Sequence, residues 1–187
     1  VTRRTDAPFG VRAGADCRLT PADLPAAVDT VVVEDASLVA RWRPAAPAAG
    51  AKPAKGKKAK AEKAAAARRV VVEVRSADEA REAVGAGADG LVARGAESGG
   101  RVGTTGAYVL AEQVREIAEA AGLPLWVQGG IGRHTAAAAV VGGATGVVVD
   151  AQVALLREAQ SALPRDVRQA IAAMDGSETR VVAGLRL

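Results

Sequence analysis

The chain has 187 residues, 49% of them hydrophobic and only 2% aromatic, enough for one domain whose core is built from small aliphatic side chains. The net charge of +4 is misleading, because all six lysines lie between Lys52 and Lys63: residues 51–69 sum to +7 and the rest to −3. That distribution, with no aromatic residue in the basic stretch, argues against nucleic acid as a partner. The single cysteine, Cys17, excludes an internal disulfide and a multi-cysteine metal site and fits a cytoplasmic setting. No signal-peptide pattern is read in the residues after Val1, and no apolar run in the sequence is long enough to span a membrane. The first residue is Val rather than Met, which predicts a processed chain or a piece of a longer one.

In chain order, Phe9–Arg12 is a weak strand candidate and Thr30–Glu34 a strong one. Residues 44–68 follow, rich in Lys, Ala and Pro without an apolar period. They bury too little to offset their ordering entropy and read as a disordered surface insertion. Because they precede a strand, they belong at the amino-terminal end of the sheet. Arg69–Val74, Gly90–Ala93, Leu125–Gln128 and Gly146–Val149 are further strands. Continuous Val-rich runs of this kind suit strands covered on both faces. Between them lie helices. Ser76 and Glu79 form a capping box for one that ends near Gly85 or Gly87. Another spans about 107–121, with an expected apolar stripe of Val109, Leu110, Val114, Ile117 and Ala121. Shorter helices are expected at 135–142, 151–161 and 164–174. Six βα units in sequence predict an α/β fold, either an incomplete TIM-type (β/α)8 barrel with about six of eight strands or an open parallel sheet. Residues 1–187 then form a single partial barrel domain.

Two glycine clusters follow strands directly. Residues 93–103 read Ala-Arg-Gly-Ala-Glu-Ser-Gly-Gly-Arg-Val-Gly, and 127–132 read Val-Gln-Gly-Gly-Ile-Gly. Glycines at the carboxyl ends of parallel strands let backbone approach a flat ligand or a phosphate. For Gly129–Gly132 alone, a tight βα turn explains the glycines equally well.

The first cluster resembles the Gln-Gly-x-Glu-Ala-Gly-Gly-His-x-Gly signature of nitronate monooxygenases. The second resembles that family's Ala-x-Gly-Gly-Ile segment, and Gly142–Val147 its run into the last strand. The resemblance implies a (β/α)8 barrel that binds FMN, with the present strands as the third to the eighth. It places Gly129 and Gly130 on the FMN phosphate, together with Gln128, Gly132, Asp150 and Ala151, and lays Gly99 and Gly100 against the flavin. Related barrels act as enoyl reductases. The tail Ala172–Thr179, with Arg101 where the family has His, is most similar to the domain at the front of large actinobacterial type I polyketide synthases. That implies a small-molecule or carrier-bound acyl substrate, and other synthase domains as partners.

Arg101 stays protonated and is no proton-abstracting base, but it suits anion binding or carbonyl polarisation. Glu97 is either an acid beside the flavin or a loop carboxylate capping a backbone N–H. Asp150-Ala151 stands where the family has Gly-Thr. A carboxylate about 5 Å from a phosphate costs on the order of 3 kcal/mol at an effective dielectric of 20. His134 reads as a surface residue at a helix start, Tyr108 as packing, Trp126 as core and Cys17 as inert. Two rival expectations follow: a degenerate barrel serving as a structural or docking module, and a barrel acting on sugar phosphates. The Glu-Ser-Gly-Gly loop argues against the latter.

Overall fold

A computed structural model of the chain describes residues 7–43, 68–150, 153, 156, 158, 163–175 and 178–186. Nearly all of the predicted insertion at 44–68, most of the expected helix at 151–161, and Ala151 lie outside them.

Six strands form one parallel sheet: β1 (Phe9–Ala13), β2 (Val28–Val33), β3 (Arg69–Val74), β4 (Gly90–Arg94), β6 (Leu125–Gln128) and β7 (Gly146–Val148), in that order. Each pairs with its neighbour in that order, and among the described residues β1 and β7 are the edges. The sheet curls into a half-barrel with helices outside, the architecture of an incomplete TIM barrel. The helices are α1 (Val39–Trp42), α2 (Ala77–Gly85), α3 (Ala107–Ala120), α4 (Arg133–Val141) and α5 (Arg165–Ala173).

Alternation along each strand separates two faces. Val31, Val33, Val70, Val72, Val74, Leu91 and Ala93 point outward into the main core, against Ala80 and Ala83 of α2 and Leu110, Val114 and Ala118 of α3. Each buried Val or Leu contributes about 1.5–3 kcal/mol of transfer free energy. The buried stripe of α3 is Ala107, Leu110, Val114 and Ala118; Val109, expected in it, is 59% exposed. At 100° per residue Val109 sits about a third of a turn off the line through Leu110 and Val114.

The opposite, concave face carries Arg12, Val71, Glu73, Val92, Arg94, Trp126 and Gln128. Trp126 lies over its two strand neighbours: a Cβ on Gly90 would meet its ring at 2.7 Å and one on Gly146 at 3.1 Å. The indole fills space that those glycines leave open.

Capping follows local chemistry. Ser76 accepts the Glu79 N–H at 3.2 Å, as the capping box predicts. Glu79 reaches one residue further back, to the Arg75 N–H at 2.7 Å and the Arg75 guanidinium at 2.9 Å. Arg68, last residue of the predicted insertion, is buried and donates to the carbonyls of Pro21, Leu24, Pro25 and Val28.

A second, antiparallel sheet was not expected from the sequence. It joins β5 (Gly100–Arg101) to β9 (Leu185–Arg186), and β9 to β8 (Val181–Val182).

Candidate functional site

The parallel strands deliver both glycine clusters to one end of the sheet, because β4 and β6 are adjacent and in register from Leu91↔Leu125 to Arg94↔Gln128. The Gly95 N–H then donates to the Gln128 carbonyl at 2.9 Å, so the two loops leave the sheet side by side.

They touch at Gly129 and Gly130, whose φ values of +113° and +61° disfavour any side chain. A Cβ on Gly129 would lie 3.0 Å from Ser98 Oγ and 3.3 Å from Glu97 Oε2. The N–H groups of Gly129 and Gly130 have no acceptor among the described residues. Consecutive unpaired N–H groups in such a bend, just before the helix α4, form an anion-binding concavity. The Gly132 N–H is taken: it donates to Thr135 Oγ1 at 2.6 Å, and that hydroxyl donates to the Gly130 carbonyl at 3.0 Å. Of the glycines expected to bind a phosphate, Gly129 and Gly130 therefore offer free donors.

Glu97 Oε2 accepts the Ala107 N–H at 2.9 Å, capping α3. This matches the capping alternative for Glu97 and anchors the loop to the helix. The fit is close: a Cβ on Gly95 would come within 2.4 Å of Ala107 Cα. Ser98, not singled out in the sequence, is fully buried, and its hydroxyl has no hydrogen-bond partner among the described residues.

Gly99, Gly100 and Arg101 are exposed on the loop's outer limb. The Gly99 carbonyl accepts from Arg94, and Gly100 adopts φ +75°. The Arg101 guanidinium has no charged or hydrogen-bonding partner among the described residues, so it is free to meet an anion or carbonyl.

Across the concave face runs an ion network. Glu73 accepts from Arg12 Nε at 2.7 Å and from Arg94 Nη1 at 2.6 Å, and Arg12 also reaches Glu34 at 3.1 Å. Burial alone pushes the Glu73 carboxyl up. The hydrogen bonds and charges of Arg12 and Arg94 outweigh it and hold the group below its ordinary 4.5. Glu73 and Arg94 are buried polar residues in apolar strands. Their positions on the inward face of neighbouring strands were the sequence signal for this pair.

Asp150 accepts a hydrogen bond from Gln128 Nε2 at 2.7 Å. The pair bridges the ends of β6 and β7 at the mouth of the site. His134 is exposed and accepts from Arg133 Nε at 3.3 Å. The Tyr108 hydroxyl donates to the Thr135 carbonyl, tying α3 to α4. Among the described residues there is no His, Cys, Asp and Glu grouping that could hold a metal, and no helix is long and apolar enough to cross a membrane.

The residues present fit a flavin phosphate group. The Gly129–Gly130 bend offers N–H groups to a phosphate, and the buried Ser98 hydroxyl and the Glu97 side chain pack against it.

Solved structures with the same fold include FabK from Thermotoga maritima, 24% identical over all of this chain and 57% of that one, with a TM-score of 0.69 for the M276A mutant. Nitroalkane oxidase from Streptomyces ansochromogenes is 21% identical over 99% of this chain and 62% of that one, at the same TM-score. The chain thus spans less than two thirds of either relative. GMP reductase C318A from Trypanosoma brucei aligns more distantly, with 20% identity over 70% of this chain and 29% of that one and a TM-score of 0.53. No curated protein sequence matches the chain. The sequence model of the nitronate monooxygenase family matches residues 29–183, both glycine loops included, and the chain belongs to that family.

Proposed function

We propose that the chain is an FMN-dependent oxidoreductase domain of the nitronate monooxygenase or enoyl reductase type. The observation that carries this reading is the Gly129–Gly130 bend, with free N–H groups, set against the Glu97–Ser98 loop. In this reading Gly129 and Gly130 hold the phosphate with the positive end of α4 behind them. Gln128 and Asp150 would flank it, and the backbone of Gly99 and Gly100 would face the flavin ring. When bound, the flavin supplies the redox chemistry. Arg101 binds or polarises the substrate and takes no proton, because a guanidinium remains charged. Such a group suits a carbonyl or a carboxylate, in keeping with a carrier-bound acyl chain and a cytoplasmic polyketide or fatty-acid synthase as the setting.

The second reading is a degenerate barrel kept as a structural or docking module. Asp150, a carboxylate at the mouth of an anion site, and Arg101, which cannot act as a base, favour it. Purification separates the two. The first reading expects a yellow protein that releases FMN on denaturation. A colourless protein that stays colourless after FMN is added supports the second.

A further inference from the structure

The C-terminal segment 178–186 does work that neither the barrel nor the family match accounts for. The family match ends at residue 183, yet the strand β9 begins at Leu185. β9 lies antiparallel on β5 of the glycine loop, with Gly100 opposite Arg186 and Arg101 opposite Leu185, and the Val102 N–H donates to the Gly184 carbonyl at 2.8 Å. Two-residue strands do not persist alone in water. The turn joining them is strained as well: Ala183 has φ +50° and Gly184 φ +78°. An alanine held in the left-handed region persists when its surroundings impose it.

Arg186 makes the contact that matters most. Its Nε donates to the Ala96 carbonyl, and its Nη1 donates to Thr179 Oγ1 at 2.9 Å, which closes the hairpin onto the loop. Arg94, locked by Glu73, grips the Gly99 carbonyl from the sheet side. A trans peptide is planar, and its N–H points opposite to its carbonyl. Holding the Ala96 and Gly99 carbonyls therefore fixes the directions of the Glu97 and Gly100 N–H groups. Those peptides lie one step outside the two that Ser98 itself forms, on either side of its contact with Gly129.

We propose that the hairpin 178–186 is a clamp on the glycine loop, and that Arg186 is a positioning residue for the cofactor site. The loop's role as a cofactor wall rests on the reading given under Proposed function; the clamp itself does not. Three versions of the chain test it: the unaltered sequence, Arg186→Ala, and a truncation after Glu178. Amide hydrogen exchange is followed in residues 96–102 and, as a control on folding, in β3 and β4. Both variants should exchange about tenfold faster in the loop, with β3 and β4 unchanged, the Val102 N–H losing its protection in the truncation. FMN affinity should fall by about tenfold in Arg186→Ala, with partial recovery in Arg186→Lys, which keeps the charge and one donor nitrogen in place of two. Unchanged loop exchange in both variants overturns the clamp. Faster exchange with unchanged FMN affinity overturns the positioning role. If the unaltered chain takes up no FMN, the cofactor reading fails, and the exchange data alone still decide the clamp.

Discussion

The Ser98 hydroxyl lies against Gly129, buried and without a partner among the described residues, 3.0 Å from where a Cβ on that glycine would stand. The two residues come from different loops, Ser98 after β4 and Gly129 after β6, and pack against each other. Their substitutions should act in opposite directions. Gly129→Ala must place a side chain at φ +113° and crowd Ser98, and should lose about 1–3 kcal/mol of stability. Ser98→Ala removes an unsatisfied buried hydroxyl and should be neutral or stabilising by up to about 1 kcal/mol without ligand. Urea denaturation of the two variants checks both signs.

Glu73 offers a test on the concave face. Its side chain is only 6% exposed, and Arg94, its partner, only 9%. Glu73→Ala leaves a buried guanidinium without its counterion and should cost about 3–5 kcal/mol at neutral pH. A hydrophobic replacement of the whole pair should cost far less. Comparing Glu73→Ala with the double variant Glu73→Leu, Arg94→Met by urea denaturation separates a broken pair from an absent one.

The same carboxyl sets a pH response. Its pKa is held below the ordinary 4.5, so the stability it contributes is fully present above that value. That contribution declines as pH falls below 4.5 toward the depressed folded value. Thermal unfolding followed from pH 7 to pH 3 should show a loss in the unaltered chain that is reduced in the Glu73→Leu, Arg94→Met variant. Equal acid sensitivity in both would assign the effect to other carboxylates.

Much of the fold was legible because burial on both faces leaves a strong mark. Arg69–Val74 and Leu125–Gln128 coincide with the observed strands, and the Ser76 cap marks the start of α2. The hairpin at 181–186 left no such mark. Its strands are two residues long, mostly exposed, and paired to a loop more than eighty positions away. The convergence of the glycine loops was readable from their place after adjacent strands. Ser98 was not, because a serine in a glycine loop carries no sign of burial. Thr135 was missed for a related reason: its claim on the Gly132 N–H depends on how the helix begins.

Asp150 should weaken an anion bound at the bend. Asp150→Asn keeps an acceptor for Gln128 Nε2 and removes the charge, so FMN should bind about tenfold more tightly, less than the full Coulomb term because the residue is exposed. The gain should shrink as salt is raised, which a titration at two ionic strengths will show.

The central claim is that the Gly129–Gly130 N–H groups hold a phosphate. Riboflavin carries the same ring as FMN and lacks that group, so parallel equilibrium titrations of the chain with the two flavins isolate it. The account predicts that FMN binds about a hundredfold more tightly, the worth of charge-assisted hydrogen bonds to a dianion. Equal affinity for the two flavins, or none for either, would contradict it.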